Sequence, residues 1–247
     1  NGSKIRAYYL LRALGHHHQL TLISFRPSDE PLEGRAQSSE EGGVEIHSVN
    51  ADPFRYVNLP TFVKFASPIP VACWPSCLML KEVSETAEGI DWDVVVAFQA
   101  PVGRYALQVP GVPRVLDLDV SSSYRRHREC VQAPTLLARL RARAGWRKAL
   151  CYERWLLRHF DLCTLVMQEE AEYVASRVES CSVQVSFNGV DCKHNRTGIA
   201  SASPNTLIYN GALTYNANYD AMQYFLAQIY PRVRRQLPRV SLTITGS

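Results

Sequence analysis

The sequence predicts a mixed α/β protein built from doubly wound parallel sheets, in two parts of unequal length. Three observations carry that expectation. Short apolar runs with strand character alternate with helix-period stretches along almost the whole chain, as in parallel sheets covered by helices. Residues 206–244 compress the pattern into one strand, glycine turn, helix and strand, the βαβ unit. Between the two parts an alternating run, Ser182-Val183-Gln184-Val185-Ser186-Phe187, stops at Asn188-Gly189-Val190-Asp191, and a polar stretch follows.

Taken in order, residues 4–14 read as a helix, with Ile5, Tyr8, Tyr9, Leu11 and Leu14 near one stripe and Gly15 ending it. Residues 20–25 (LTLISF) are a buried strand. A helix then a strand, with Asn1-Gly2-Ser3 in front, suggests that a strand precedes them in the natural protein. Residues 26–43 are loop-like, and residues 44–49 alternate as a strand. Residues 52–75, rich in proline and aromatic side chains, suit short helices, and residues 75–87 a longer one. Residues 94–98 (VVVAF) are expected to be a central, buried strand.

Residues 114–117 form the next strand, which ends on a carboxylate. Ligands of open α/β sheets gather at the C-terminal strand edge, so Asp117 and Asp119 are catalytic candidates; equally, an Asp here can cap the helix that begins around Ser121-Ser122-Ser123. Residues 136–160 are a long helix with Arg139, Arg141, Arg143 and Arg147 on it and Arg125, Arg126 and Arg128 just upstream. This basic stretch is either a solvated face or a patch for an anionic membrane. Residues 162–166 are a strand and residues 168–178 a helix. In Asn188-Gly189 the glycine supplies a residue that tolerates positive φ, as a sharp exit from a strand demands. Gly189→Val is therefore expected to be costly and Lys193→Ala to be mild. Thr206-Leu207-Ile208-Tyr209 is a strand, Asn210-Gly211 a turn, residues 220–237 a helix, and residues 240–244 a strand.

At this point the residues look like a family. "FNGVD" followed by "LIYNGALTYNANYDAMQYFLAQIYPRVRRQLPRVSLTITG" resembles the interdomain junction and second-domain opening of family-4 glycosyltransferases, closest to the bacterial sugar transferases of exopolysaccharide gene clusters. The match covers residues 188–247. Near the start, Gly2, Arg6, Leu10, Leu11, Leu14, His18 and Thr21 resemble the family's glycine loop, helix and second strand. The resemblance implies a GT-B fold: a Rossmann-like N-terminal, acceptor-side domain over residues 1–187 with its first strand missing, a connection over 188–204, and an incomplete donor-side domain from 205 to 247. It implies retaining transfer of a hexosyl group from a nucleotide sugar to a glycan or lipid-linked acceptor, without metal or other cofactor.

The same resemblance assigns roles residue by residue. Gly2, Asn210 and Gly211 correspond to donor or phosphate-binding positions; for Gly2 a plain helix-capping loop is the other reading. Asn188, Gly189, Val190 and Asp191 correspond to the hinge. The family's Arg and Lys near the second glycine turn are replaced here by Ala212 and Asn216. The catalytic residues are expected beyond Ser247, so the 247-residue chain alone is expected to be inactive. A non-catalytic binding module and a sugar-nucleotide epimerase of the same fold remain as alternatives.

Bulk properties bound these readings. The chain has 46% apolar and 20% charged residues and a net charge of +4, which argues for a globular protein and for no nucleic-acid partner. No apolar run reaches the roughly 20 residues of a membrane span. Seven scattered cysteines fit a reducing cytoplasm better than a disulfide scaffold, and Cys73-Trp74-Pro75-Ser76-Cys77 is no standard zinc spacing. The expected location is the cytoplasm, with the inner membrane face as the variant that the basic patch admits.

Overall fold

The chain opens with α1 (Gly2–Gly15), a helix whose apolar stripe is not packed as its spacing suggests: Ile5, Tyr8 and Tyr9 are exposed. It meets the rest of the fold at β1 (Leu20–Arg26) and through Arg6. β1 pairs in parallel with β3 (Val44–Asn50), and β3 pairs antiparallel with β2 (Gln37–Glu41). The region expected to be loop thus contributes an edge strand. Its residues, QSSEE, carry no apolar alternation, and only pairing with β3 makes it a strand. This is a computed structural model, and it describes residues 2–26, 37–41, 44–53, 56, 58–178, 180–192, 195, 196, 198 and 203–246.

Two short helical pieces follow, α2 (Thr61–Ala66) and a single 3₁₀ turn at Val71–Cys73, then α3 (Cys77–Ala87). A second sheet has the order β4 (Val95–Phe98), β5 (Arg114–Asp119), β6 (Leu162–Leu165) and β7 (Ser182–Val185), all parallel. The valine-rich strand expected at the centre is β4, which ends this sheet; Val94 and Val96 are exposed. The strand covered on both faces is β5, where Leu116, Asp117 and Leu118 are all buried. β5 also runs two residues past its expected end at Asp117, and β7 stops two before the expected Phe187.

Between β4 and β5 lie α4 (Ala100–Gly103) and a 3₁₀ turn at Arg104–Gln108. α5 (Ser122–Gln132) and α6 (Leu136–Leu157) form a helix hairpin, and α7 (Gln168–Ala175) joins β6 to β7. Thr135 caps α6 by accepting from the Ala138 amide at 3.2 Å. The C-terminal half of α6 covers the sheet: Ala149, Tyr152, Leu156 and Leu157 join Leu116, Leu118, Cys163 and Leu165 in one core cluster. Gly103 lets α4 come close, since a Cβ there would lie 2.8 Å from Leu156 Cδ2. A second cluster joins Phe25 and Val49 of the first sheet and Val95 of the second with Met79 of α3 and Tyr105. No backbone ladder among the described residues joins β1 to β4, so these strands fall into two sheets.

Contacts divide the chain into two compact units, Asn1–Gly189 and Val190–Ser247. All four tryptophans fall in the first. Of the expected 188–204 connection, residues 193, 194, 197 and 199–202, Lys193 included, lie outside the described residues. The second unit contains β8 (Thr206–Asn210) paired in parallel with β9 (Ser241–Thr245). The helix between them has three pieces: α8 (Asn216–Tyr224), a π turn at Phe225–Ile229, and α9 (Tyr230–Gln236). Pro231 explains the π turn. It has no N–H to donate, and its ring would collide with the carbonyl four residues back, so the preceding turn widens.

Candidate functional site

Two adjacent strands of the second sheet leave it through backbone conformations that side chains rarely adopt. At the C-terminal end of β4, Gln99 has φ 71° and ψ 148°, a region occupied mostly by glycine. It is held there by three bonds: its amide donates to the Asp117 carbonyl at 2.7 Å, and its own carbonyl accepts from Val102 and Gly103 at 3.1 and 3.3 Å. At the end of β5, Asp119 has φ 58°, and the pairing register with β6 slips between Asp117 and Asp119. Strain of this kind persists only where the surroundings over-determine it, and it collects at functional sites. The edge concerned is the one at which open α/β sheets hold ligands.

The same edge gathers three residues from distant parts of the sequence. Arg6 on α1 donates from Nε to Asp117 Oδ2 at 2.8 Å and from Nη1 to Asn188 Oδ1 at 3.1 Å. Both charged side chains are buried, with 8% and 5% of their surfaces exposed. The other oxygen, Asp117 Oδ1, accepts from the Asp119 amide at 3.1 Å. A carboxylate with both oxygens engaged inside the protein positions its neighbours; it is not placed as a nucleophile or a free base. The alternative reading of these aspartates, a helix cap, is also displaced: α5 is capped by Ser121, whose Oγ accepts from the Tyr124 amide at 3.1 Å. Asp119 sits half-buried at the rim.

Behind this edge lies a group that the sequence reading missed. Glu153, the one acidic residue on α6, is buried and accepts from Ser121 Oγ at 2.9 Å, from the Ser123 amide at 3.1 Å and from Ser123 Oγ. Glu170 accepts from the Ser121 amide at 2.8 Å. Burial pushes both carboxyls above the usual range, and the serine hydrogen bonds oppose it. A cavity of about 80 Å³ adjoins Glu153, lined in part by Ser122, Arg125, Arg126, Tyr152 and Cys73. Burial pushes the Cys73 thiol up to about 12, so it is a packed thiol and not a reactive one. The signal that could have found Glu153 is its position as a lone acid in a helix otherwise basic or apolar. A wider depression of about 510 Å³, lined by residues 111–114 and 158–161 with Ser180, opens at the N-terminal strand edge. Among the described residues, no non-glycine residue of positive φ and no buried ion pair lines it.

Gly2 is the first residue of α1, and a Cβ there would meet nothing within 4 Å, so no close backbone approach requires glycine. Gly189 has an ordinary φ and open space around it, which corrects the expected need for positive φ at this position. Val190 is exposed, and the Asp191 carbonyl accepts from the Asn195 amide at 2.8 Å. In the second unit Asn210 ends β8, and the Gly211 amide donates to the Thr245 carbonyl at 2.8 Å. That N–H is spent within the sheet and is not free for a phosphate. A glycine that the second unit does require is Gly246, at φ 133°: a Cβ there would lie 2.5 Å from the Gly211 carbonyl carbon. Arg139, Arg141, Arg143 and Arg147 lie exposed along α6. Among the described residues no group of three or more His, Cys, Asp or Glu side chains converges to hold a metal ion. No helix there is long and apolar enough to cross a membrane.

No protein-family model matches the chain, and no curated protein matches it by sequence. Solved structures do. Sucrose-phosphate synthase from Thermosynechococcus elongatus superposes with a TM-score of 0.66 at 12% identity, over 100% of this chain and 65% of that one. A trehalose-6-phosphate synthase, studied for glycosyl transfer with retention, gives a TM-score of 0.53 at 13% identity over 96% and 60%. An E. coli structure described as trehalose-6-phosphate bound with UDP-2-fluoro glucose gives 0.55 at 10% over 96% and 60%. The chain thus spans 60% to 65% of these structures. They are GT-B glycosyltransferases, and the fold of this chain is of that type, with parallel, Rossmann-like sheets.

Proposed function

We propose that this chain is the acceptor-side part, with the beginning of the donor-side part, of a glycosyltransferase that moves a sugar from a nucleotide-diphosphate donor to a glycan or lipid-linked acceptor with retention. The observation that carries the reading is the C-terminal edge of the β4–β7 sheet. There a fold shared with nucleotide-sugar enzymes, one of them holding UDP-2-fluoro glucose, presents two strained residues beside a buried Arg6–Asp117 pair. The family-4 resemblance of residues 188–247 narrows the proposal to exopolysaccharide-type sugar transferases working in the cytoplasm without a metal. It also makes Asn188 to Asp191 the crossing between acceptor-side and donor-side domains.

Each residue has a part in this reading. Asp117 holds Arg6 in place, and Arg6 in turn fixes Asn188 at the crossing, so that α1, β5 and the exit of β7 keep one geometry. Gln99 and Asp119 present the rim toward the acceptor. Departure of the nucleoside diphosphate leaves negative charge, which donors aimed at it must stabilise. The Asn210-Gly211 turn allows close approach but spends its glycine N–H on Thr245, so this turn is not given the task of neutralising the leaving group.

The test is to incubate the protein with sugar-labelled nucleotide sugars and with glycan and lipid-linked acceptors, as this chain and as the product of the reading frame continued past Ser247. Transfer with preserved anomeric configuration is expected from the longer product and none from the 247-residue chain. Inversion, transfer by the short chain, or a reading frame that stops at Ser247 would overturn the proposal.

A further inference from the structure

We infer that the tip of the α5–α6 hairpin is a docking surface for an anionic phospholipid bilayer, into which leucines insert between arginines. The two halves of α6 differ sharply. All the buried residues of the helix lie from Ala149 onward, and none lies in its first three turns. There Leu136, Leu137 and Leu140 are 74%, 60% and 56% exposed, and Val131, one residue before the end of α5, is 64% exposed. At about 100° of rotation per residue the three leucines share one face. Arg139 and Arg143 border that face on one side and Arg141 on the other, and Arg147 continues it two turns further on.

Charge decides the occupant. α6 carries Arg139, Arg141, Arg143, Arg147, Lys148 and Arg154 against one acid, Glu153, which is buried among serines. On α5 the acid Glu129 is outnumbered by Arg125, Arg126 and Arg128. Among the described residues none of Arg125, Arg128, Arg139, Arg141, Arg143 and Arg147 has a carboxylate within ion-pair distance. A solvated face would need no cluster of exposed leucines, and a packed protein interface would leave so many like charges uncompensated. Apolar side chains flanked by long basic ones, whose heads reach back to the headgroups, are the pattern of an interfacial helix. The argument is independent of the proposed transfer chemistry, because bilayer binding needs no nucleotide sugar.

Sedimentation of the 247-residue chain with vesicles tests it. The chain is expected to bind phosphatidylcholine vesicles containing phosphatidylglycerol and to ignore pure phosphatidylcholine, with binding lost as salt is raised, since surface attraction fades within a Debye length. Each basic residue near the surface contributes about fivefold, so Arg139→Glu with Arg143→Glu should weaken binding by well over tenfold. Leu136→Asp with Leu140→Asp should abolish it while leaving the far-UV circular dichroism and melting midpoint unchanged, because both leucines are already exposed. Equal binding to neutral and anionic vesicles, no binding to either, or full binding by the leucine variant overturns the inference. So does a vesicle-free dimer that the leucine variant dissolves, which would make the face an interface between copies of this chain.

Discussion

In the first unit Leu116, Leu156, Leu157, Cys163 and Leu165 are wholly inaccessible to solvent, at the centre of a cluster that draws on three strands and three helices. In the second, Met222 and Val240 are the buried apolar residues among those described, while Ile208, Tyr215 and Tyr224 remain mostly exposed. Both units use the same local parts, parallel strands joined by a helix. The difference lies in the number of layers. A four-stranded sheet with helices packed on it encloses a core, but two strands and one helix cannot cover their own apolar faces. Periodicity makes the elements, and only the layers around them make a stable unit.

The comparison implies that the first unit can carry costly features, and its costliest is the buried ion pair. Asp117→Ala should lower the unfolding free energy by about 3–5 kcal/mol, because it strands the Arg6 charge inside the protein. Urea denaturation followed by circular dichroism measures this, and Arg6→Met with Asp117→Leu should recover most of the loss. A cost below about 1 kcal/mol for the single change would mean that Arg6 is hydrated and that the first unit is looser than described.

The second unit has less to lose, so a local clash should show there more selectively. Gly246→Val sets a side chain against the Gly211 backbone in a conformation that favours glycine, a cost of about 2–4 kcal/mol from strain and crowding together. Hydrogen exchange of the β8 and β9 amides reads it. Gly189→Val, with ordinary φ and open space, should stay within about 0.5 kcal/mol and serves as the control. Protection of β8 and β9 unchanged by Gly246→Val would remove the contrast between the two glycines.

The smallest expected effect is a gain. Gln99→Gly removes a strained backbone at the sheet edge and should stabilise the first unit by about 1 kcal/mol, the relief being partly offset by glycine's greater freedom when unfolded. Its melting midpoint should rise while sugar transfer by the longer product falls. A fall in both would show that Gln99 contributes to packing and not to the rim.

Most helices and the parallel strands were legible because their apolar positions follow regular periods. β2 was not, since QSSEE becomes a strand only through its partner β3. β4 was misread as central because its valines satisfy a buried pattern that the sheet order then leaves at an end. At the site, Asp117 could be picked out from its place at a strand terminus, and Arg6 and Asn188 from the family resemblance. Their meeting could not be foreseen, since it joins residues 111 and 182 positions apart. Gly189 looked indispensable from the dipeptide alone, whereas the glycine under real constraint, Gly246, depends on a contact across two loops.

The placement of the indole rings has a practical consequence. Trp74, Trp92, Trp146 and Trp155 all belong to the first unit, and the second carries five tyrosines, Tyr209, Tyr215, Tyr219, Tyr224 and Tyr230. Excitation at the red edge of the absorption band therefore lights one unit and leaves the other dark. Intrinsic fluorescence is a built-in reporter of the first unit alone, with no label needed. Where its melting curve and that of the whole backbone part company, the interval between them is the independent life of the second unit.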